Sequence, residues 1–123
     1  SSFYLLTQRG SLKRVSTEEI PATSRAKRGL QVLRELKSKP HRVFVAGAVS
    51  EQGFIGDLFS TEVEDGEQTL VIQSNNGTIY EAILQDLNLS ERTSNGSFIS
   101  DTISDEEVFD AYLKEIFRED KEN

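Results

Sequence analysis

The sequence contains no cysteine. Disulfides and thiolate metal sites are therefore excluded, and an intracellular origin is compatible. There is a single histidine, His41. It has no co-ligands within metal-site spacing, so it reads as a strand-edge residue and no metal site is assigned. No apolar run approaches the length of a membrane span, and no signal-peptide pattern occurs. No nucleophile–base constellation stands out, so no catalytic residue is assigned and a hydrolytic enzyme has no support. The acidic cluster Glu62, Glu64, Asp65 and Glu67 lacks the alternating ligand spacing of an EF-hand and reads as a solvated loop. The Asn-x-Ser/Thr triplets at Asn76, Asn88 and Asn95 mean little without secretion.

What is present is charge, unevenly placed. The 123 residues suffice for one modest domain and carry a net charge of −7. Residues 1–42 hold ten Lys/Arg against three Asp/Glu, a balance of +7, while residues 43–123 hold four against eighteen, a balance of −14. Such a split points to polyanion binding by one half and an acidic tail on the other. The start, SSFYLL with no methionine, reads as a cut from a longer protein.

The cations concentrate between Gly10 and Gly29. Lys13 and Arg14 follow the first glycine, and Arg25, Lys27 and Arg28 precede the second. Glycine supplies positive φ at little steric cost, so both clusters are expected at the ends of short extended segments. Phe3–Thr7 is rich in β-formers and predicts a strand, Gln8–Gly10 a turn, and Ser11–Val15 the returning strand. Thr17–Pro21 reads as a loop or one helical turn closed by proline. Residues 29–36 alternate like a strand and also keep helical spacing, and so stay undecided. Val43–Val49 predicts a buried strand, and Phe54–Phe59 a short one inside a loop-like region.

Leu70–Ile72 and Thr78–Leu84 flank Asn75-Asn76-Gly77, which predicts a hairpin with a type I′ turn. Gly96–Ser100 predicts another short strand. In the tail, Ser104 and Glu107 form a capping box. Val108, Phe109, Tyr112, Leu113, Ile116 and Phe117 then follow with the spacing of an amphipathic helix. Residues 119–123 are expected to fray. Tyr4, Tyr80 and Tyr112 sit in apolar patterns and read as core.

The chain also resembles itself. A shift of 67 residues carries Gly10 onto Gly77, Leu12 onto Ile79, Ile20 onto Leu87, Arg25 onto Arg92 and Gly29 onto Gly96, with no gap from Leu5 to Val32. This predicts two copies of one β-rich unit of about four short strands, as in propeller blades. The second copy keeps the glycines and one arginine. It replaces Lys13 and Arg14 by Tyr80 and Glu81, and Lys27 and Arg28 by Ser94 and Asn95. The scaffold is shared, and the cations are added to one copy.

These stretches, FYLLTQRGSLKRV, SRAKRGLQVLREL and RVFVAGAV, resemble a blade of the C-terminal domain found in the A subunits of bacterial topoisomerase IV and gyrase. LVIQSNNGTIYEAILQDL resembles a divergent final blade. The resemblance covers about residues 3–100, and the acidic tail resembles the C-termini of such subunits from Gram-positive cocci. It implies an all-β fold of propeller-like β-pinwheel blades, with about two four-stranded repeats here. The expected division is a basic blade over 1–49, a divergent blade over 50–103, and an acidic tail with an amphipathic helix over 104–123.

The resemblance further implies binding and bending of duplex DNA on the blade rim. The transported segment would be presented for ATP-dependent strand passage, in support of supercoil relaxation and chromosome decatenation. The partners implied are duplex DNA, the rest of the A subunit, and the ATPase-bearing B subunit in an A2B2 complex. The setting implied is cytoplasmic and chromosome-associated, with a peripheral place at the inner membrane face also open. No cofactor is expected in this chain; Mg²⁺ and ATP would act on other segments or subunits. The full glutamine- and glycine-rich box for chiral wrapping is absent, and Arg25–Gly29 is at most a reduced version.

Lys13, Arg14, Arg25, Lys27 and Arg28 are the candidate phosphate contacts, with Arg9, Lys37 and Lys39 as outer ones. About five contacts would give weak, salt-sensitive binding. Arg25, like Arg92, has a competing role in holding the blade through backbone or carboxylate. The alternative function is a protein-interaction or autoregulatory module that uses the acidic tail.

Overall fold

The computed structural model describes residues 2–20, 31–50 and 66–117. The expected strand at 54–59 and the fraying end lie outside them, as do Arg25, Lys27, Arg28 and most of the acidic cluster. Seven strands are described: β1 (Ser2–Thr7), β2 (Ser11–Ser16), β3 (Val43–Val49), β4 (Gly66–Ser74), β5 (Ile79–Ile83), β6 (Ser97–Phe98) and β7 (Val108–Phe117). They form two antiparallel sheets, ordered β3-β1-β2-β6 and β5-β4-β7. The fold is all-β and propeller-like.

The repeat is visible in the hydrogen-bond register. Ser2 pairs with Ser16 in the first hairpin, and Thr69 with Ile83 in the second, each the first residue plus 67. The turns match as well. The Gly10 amide donates to the Thr7 carbonyl at 2.9 Å and the Gly77 amide to Ser74 at 3.0 Å. The two glycines have φ of 85° and 92°. Asn76 does not take positive φ, so the second hairpin is a three-residue turn ending on a left-handed glycine, not type I′. Asn76 Oδ1 accepts instead from Ser74 Oγ and the Thr78 amide, at 2.6 and 3.1 Å. Each hairpin then runs into a single 3₁₀ turn, Thr17–Glu19 and Leu84–Asp86.

The tail is not a helix. Residues 102–105 form a 3₁₀ turn, and β7 pairs along the whole of β4, from Gly66↔Phe117 to Ser74↔Val108. The apolar spacing of 108–117 suits a helix, but β-branched and aromatic residues also suit a strand, and β4 offers an unpaired edge. β7 is the counterpart of β3. The Gln8 amide meets the Arg42 carbonyl and the Asn75 amide meets Glu107, so the repeat offset has shortened from 67 to 65. Both pairings bulge at the same place, Leu6/Thr7 and Gln73/Ser74.

The core lies between the sheets. Tyr4, Leu6, Leu12 and Val49 of the first sheet pack with Leu70 and Ile72 of the second, and Leu84, Ile103 and Val108 close the cluster. Each large aliphatic side chain fully buried there stabilises the fold by about 1.5–3 kcal/mol. In repeat terms, one face of the first sheet meets the opposite face of the second, as successive propeller blades do. Tyr4 lies over Gly47, where an added Cβ would sit 2.9 Å from its ring. In the second sheet the sizes are reversed, with Tyr112 opposite Val71. Tyr112 is exposed, so of the three tyrosines it is not core, and β3 is exposed along most of its length.

Candidate nucleic-acid interface

Lys13 does not lie on the rim. It alternates with Leu12 along β2, so it shares a face with the buried Leu5 and Val15. Its side chain is 2% exposed. The ammonium donates to the carbonyls of Val32, Arg92 and Ser94 at 2.5, 2.6 and 2.7 Å, with Glu91 at 3.3 Å. Burial pushes its pKa down to about 8; the Glu19 carboxylate raises it and Arg92 lowers it further. The cradle holds the 91–94 turn and the segment at Val32 onto the first sheet. Tyr80, its repeat counterpart, sends its hydroxyl to Thr102 Oγ1 at 2.8 Å.

Arg14 is half-buried and also turned to protein. Its Nε donates to Ser2 Oγ at 2.8 Å, and one terminal nitrogen reaches the carbonyls of Leu87 and Gln85 at 3.2 and 3.3 Å. Its own carbonyl accepts from the Ser90 amide at 2.7 Å. The pair first read as a phosphate contact thus binds the connection between the two sheets. Arg92 acts alongside, its guanidinium on the Gln31 carbonyl and its amide on Glu19 at 2.8 Å.

The exposed cations gather elsewhere. Arg34, Lys37, Lys39 and Arg42 are exposed along the segment that leads into β3. Arg34 and Arg42 were missed in the sequence because neither adjoins a glycine. Their only signal was the charge balance of residues 1–42. Lys39 has φ 52°, a left-handed bend that turns the segment. Arg9 anchors it, donating to the Lys39 carbonyl at 2.7 Å and to His41 Nε2 at 3.2 Å, with its guanidinium 5.3 Å from the Phe98 ring centre.

Because arginine only donates, Nε2 of His41 is the acceptor, and the ring proton sits on Nδ1, 3.0 Å from Thr7 Oγ1. Burial, then the Arg9 charge, lowers the His41 pKa. No cluster of metal-ligating side chains exists among the described residues. Across a cleft from Arg9, Lys39 and Arg42 stand Asp105, Glu106 and Glu107. No helix of the described residues is long and apolar enough to cross a membrane.

Residues 2–54 match the family model described as the DNA gyrase C-terminal domain, a β-propeller. The chain is 84% identical over 121 residues to the A subunit of DNA topoisomerase 4 from Streptococcus pneumoniae, covering 98% of this chain and 15% of that protein. It is 38% identical over 109 residues to the protein of the same name in Staphylococcus aureus, covering 89% of this chain and 12% of the relative. A crystal structure of the C-terminal domain of DNA topoisomerase IV aligns with a TM-score of 0.69 at 29% identity, over 91% of this chain and 30% of the other. The chain therefore spans only a small part of each relative's length.

Proposed function

The chain belongs to the gyrase C-terminal β-propeller family, and on that premise we propose that it is a non-catalytic module that binds and bends duplex DNA through its phosphates. The observation that carries this reading is the exposed run Arg34, Lys37, Lys39 and Arg42, aligned on the segment that Arg9 pins. Lysine and arginine on such a strip neutralise phosphates and release counterions, without reading sequence. Arg25, Lys27 and Arg28 stay in the proposal on their charge and position in the sequence. Lys13 and Arg14 pass to a supporting role, since both spend their donors on backbone carbonyls and Ser2.

In the longer relatives, such a module would hold the transported duplex for ATP-dependent strand passage. It would stand beside the rest of the A subunit, with an ATPase-bearing B subunit completing an A2B2 assembly. A cytoplasmic, chromosome-associated setting fits that role. Reversing charge at Lys37, Lys39 and Arg42 is expected to abolish duplex binding while circular dichroism stays native; retained binding would sink the proposal.

A second reading has its own observation, the acidic turn Asp105–Glu107 facing Arg9, Lys39 and Arg42 across one cleft. There the acidic side chains compete with phosphate for the same cations. Removing residues 104–123 would take β7 out of the sheet, so the test is Asp105→Asn with Glu107→Gln. Tighter duplex binding at low salt is expected, and an unchanged affinity counts against the competition.

A further inference from the structure

The single histidine sits inside the cationic strip, and its two ring nitrogens have different partners. Nδ1 donates to Thr7 Oγ1 at 3.0 Å. Thr7 is fully buried, and the same hydroxyl oxygen accepts from the Ser11 amide at 3.2 Å. Nε2 accepts from Arg9, whose Nη1 divides its two hydrogens between the Lys39 carbonyl at 2.7 Å and Nε2 at 3.2 Å. Only a neutral imidazole can accept there. One hydrogen of Arg9 is thus held by an atom that can itself take a proton.

The groups around His41 set the sign of that equilibrium. Arg9 comes from the turn between β1 and β2. On its own segment Lys39 and Arg42 flank it, and Arg34, Glu35 and Lys37 line the same hollow. β6 supplies the Phe98 ring, 5.8 Å from the imidazole centre and 5.3 Å from the Arg9 guanidinium carbon. Asp105, Glu106 and Glu107 stand across the cleft from Arg9, Lys39 and Arg42. Burial, then the Arg9 charge, keeps the imidazole neutral at pH 7. A duplex laid on Arg34, Lys37, Lys39 and Arg42 would bring phosphate charge to this place and favour the imidazolium.

We propose that duplex binding takes up one proton at His41 Nε2, and that the module therefore grips DNA more tightly as pH falls below neutral. This rests on the reading that the strip binds duplex phosphates. The proton comes from solvent, and Nδ1 already carries the one that Thr7 receives, so Nε2 is the ring atom left to accept it. The new N–H donates to phosphate, and the Arg9 hydrogen that Nε2 held is released to do the same. The Phe98 ring, already beside one cation, accommodates the second. By linkage, the duplex raises the affinity of His41 for the proton by the factor that the proton raises affinity for the duplex.

Two measurements on the 123-residue chain test this. The first is titration of a short duplex at about pH 7.5 and about pH 5.5, a range above that in which model carboxylates titrate. One added cation predicts about fivefold tighter binding at the lower pH in about 0.1 M salt, with a log–log salt slope steeper by up to about 0.9. His41→Gln, which keeps an acceptor for Arg9, should lose most of this pH dependence. Lys13 and the amino terminus, which also titrate near 8, are the same in both chains. The second is the proton resonance titration of the one imidazole, whose midpoint should move up when duplex is present. Equal affinity at both pH values, weaker binding at the lower one, a pH dependence kept by His41→Gln, or a midpoint unmoved by bound duplex would each overturn this proposal and leave the duplex reading standing. No binding at either pH would overturn both.

Discussion

Replacing Lys13 by methionine separates a buried tether from a phosphate contact. Methionine keeps the length and apolar stem of the side chain, so β2 stays packed against Leu5 and Val15. What is lost is one ammonium that satisfies the carbonyls of Val32, Arg92 and Ser94. Hydrogen bonds to a charged donor are worth about 1.5–3 kcal/mol each. Part of that is offset because the buried charge no longer has to be desolvated, and because the 91–94 turn can shift toward water. The net loss is set at about 2–4 kcal/mol. In a chain of this size, 1 kcal/mol moves the melting temperature by roughly 4 °C, so a drop of about 8–16 °C is expected by calorimetry. Measured on the folded variant, the salt dependence of duplex binding should keep its slope. A melting temperature within 2 °C of the parent (about half a kcal/mol by the same conversion), with a salt slope shallower by about one, would refute the tether and restore the phosphate contact.

Further expectations concern the turns and the titrating groups. Gly10→Ala and Gly77→Ala impose the same backbone strain, since both glycines hold positive φ. A Cβ at Gly10 would lie 2.6 Å from Ile103 Cδ1 whereas one at Gly77 meets nothing, so chemical denaturation should show about 1 kcal/mol lost at Gly77 and more at Gly10. Lys13 has its folded pKa near 8, below the unfolded value of 10.5. Its deprotonation therefore adds stability as pH rises from 8 to 10.5, beyond what the ammonium tether contributes at lower pH. Relative to Lys13→Met, the parent should gain stability across that window, by at most about 1.4 kcal/mol per pH unit. A relative loss would mean that the folded chain holds the ammonium more tightly than the neutral amine. His41 is also lowered, from 6.5, so the parent should lose stability below that pH relative to His41→Gln, which denaturation at stepped pH would show.

Much of the scaffold was legible because its signals are local. Gly10 and Gly77 mark equivalent turns, and the apolar stretches beside them pair in the register that a 67-residue repeat demands. β7 is hidden in the sequence behind a helical apolar spacing, because the 67-residue offset holds only as far as Val32. Beyond it the offset falls to 65, and only that shorter shift carries Phe44 onto Phe109 and Ala46 onto Ala111. The role of Lys13 was not legible at all. Its partners are main-chain carbonyls from residues 32 and 91–94, which have no side-chain signature and meet it only when both units have folded. The position of Arg9, between the Lys39 carbonyl, His41 and Phe98, is likewise a product of tertiary contact. Charge balance located the cationic half, and only the fold distinguished inward from outward cations.

The central claim is that the outward cations of residues 34–42 bind phosphate. It is tested most directly by titrating a short duplex at several salt concentrations with the parent chain and with Lys37→Glu/Lys39→Glu. Four contacts at Arg34, Lys37, Lys39 and Arg42 predict a log–log slope of about −3.6 or steeper for the parent, and a slope shallower by about two for the variant. A parent slope near zero, or a variant slope equal to the parent's, would contradict the account.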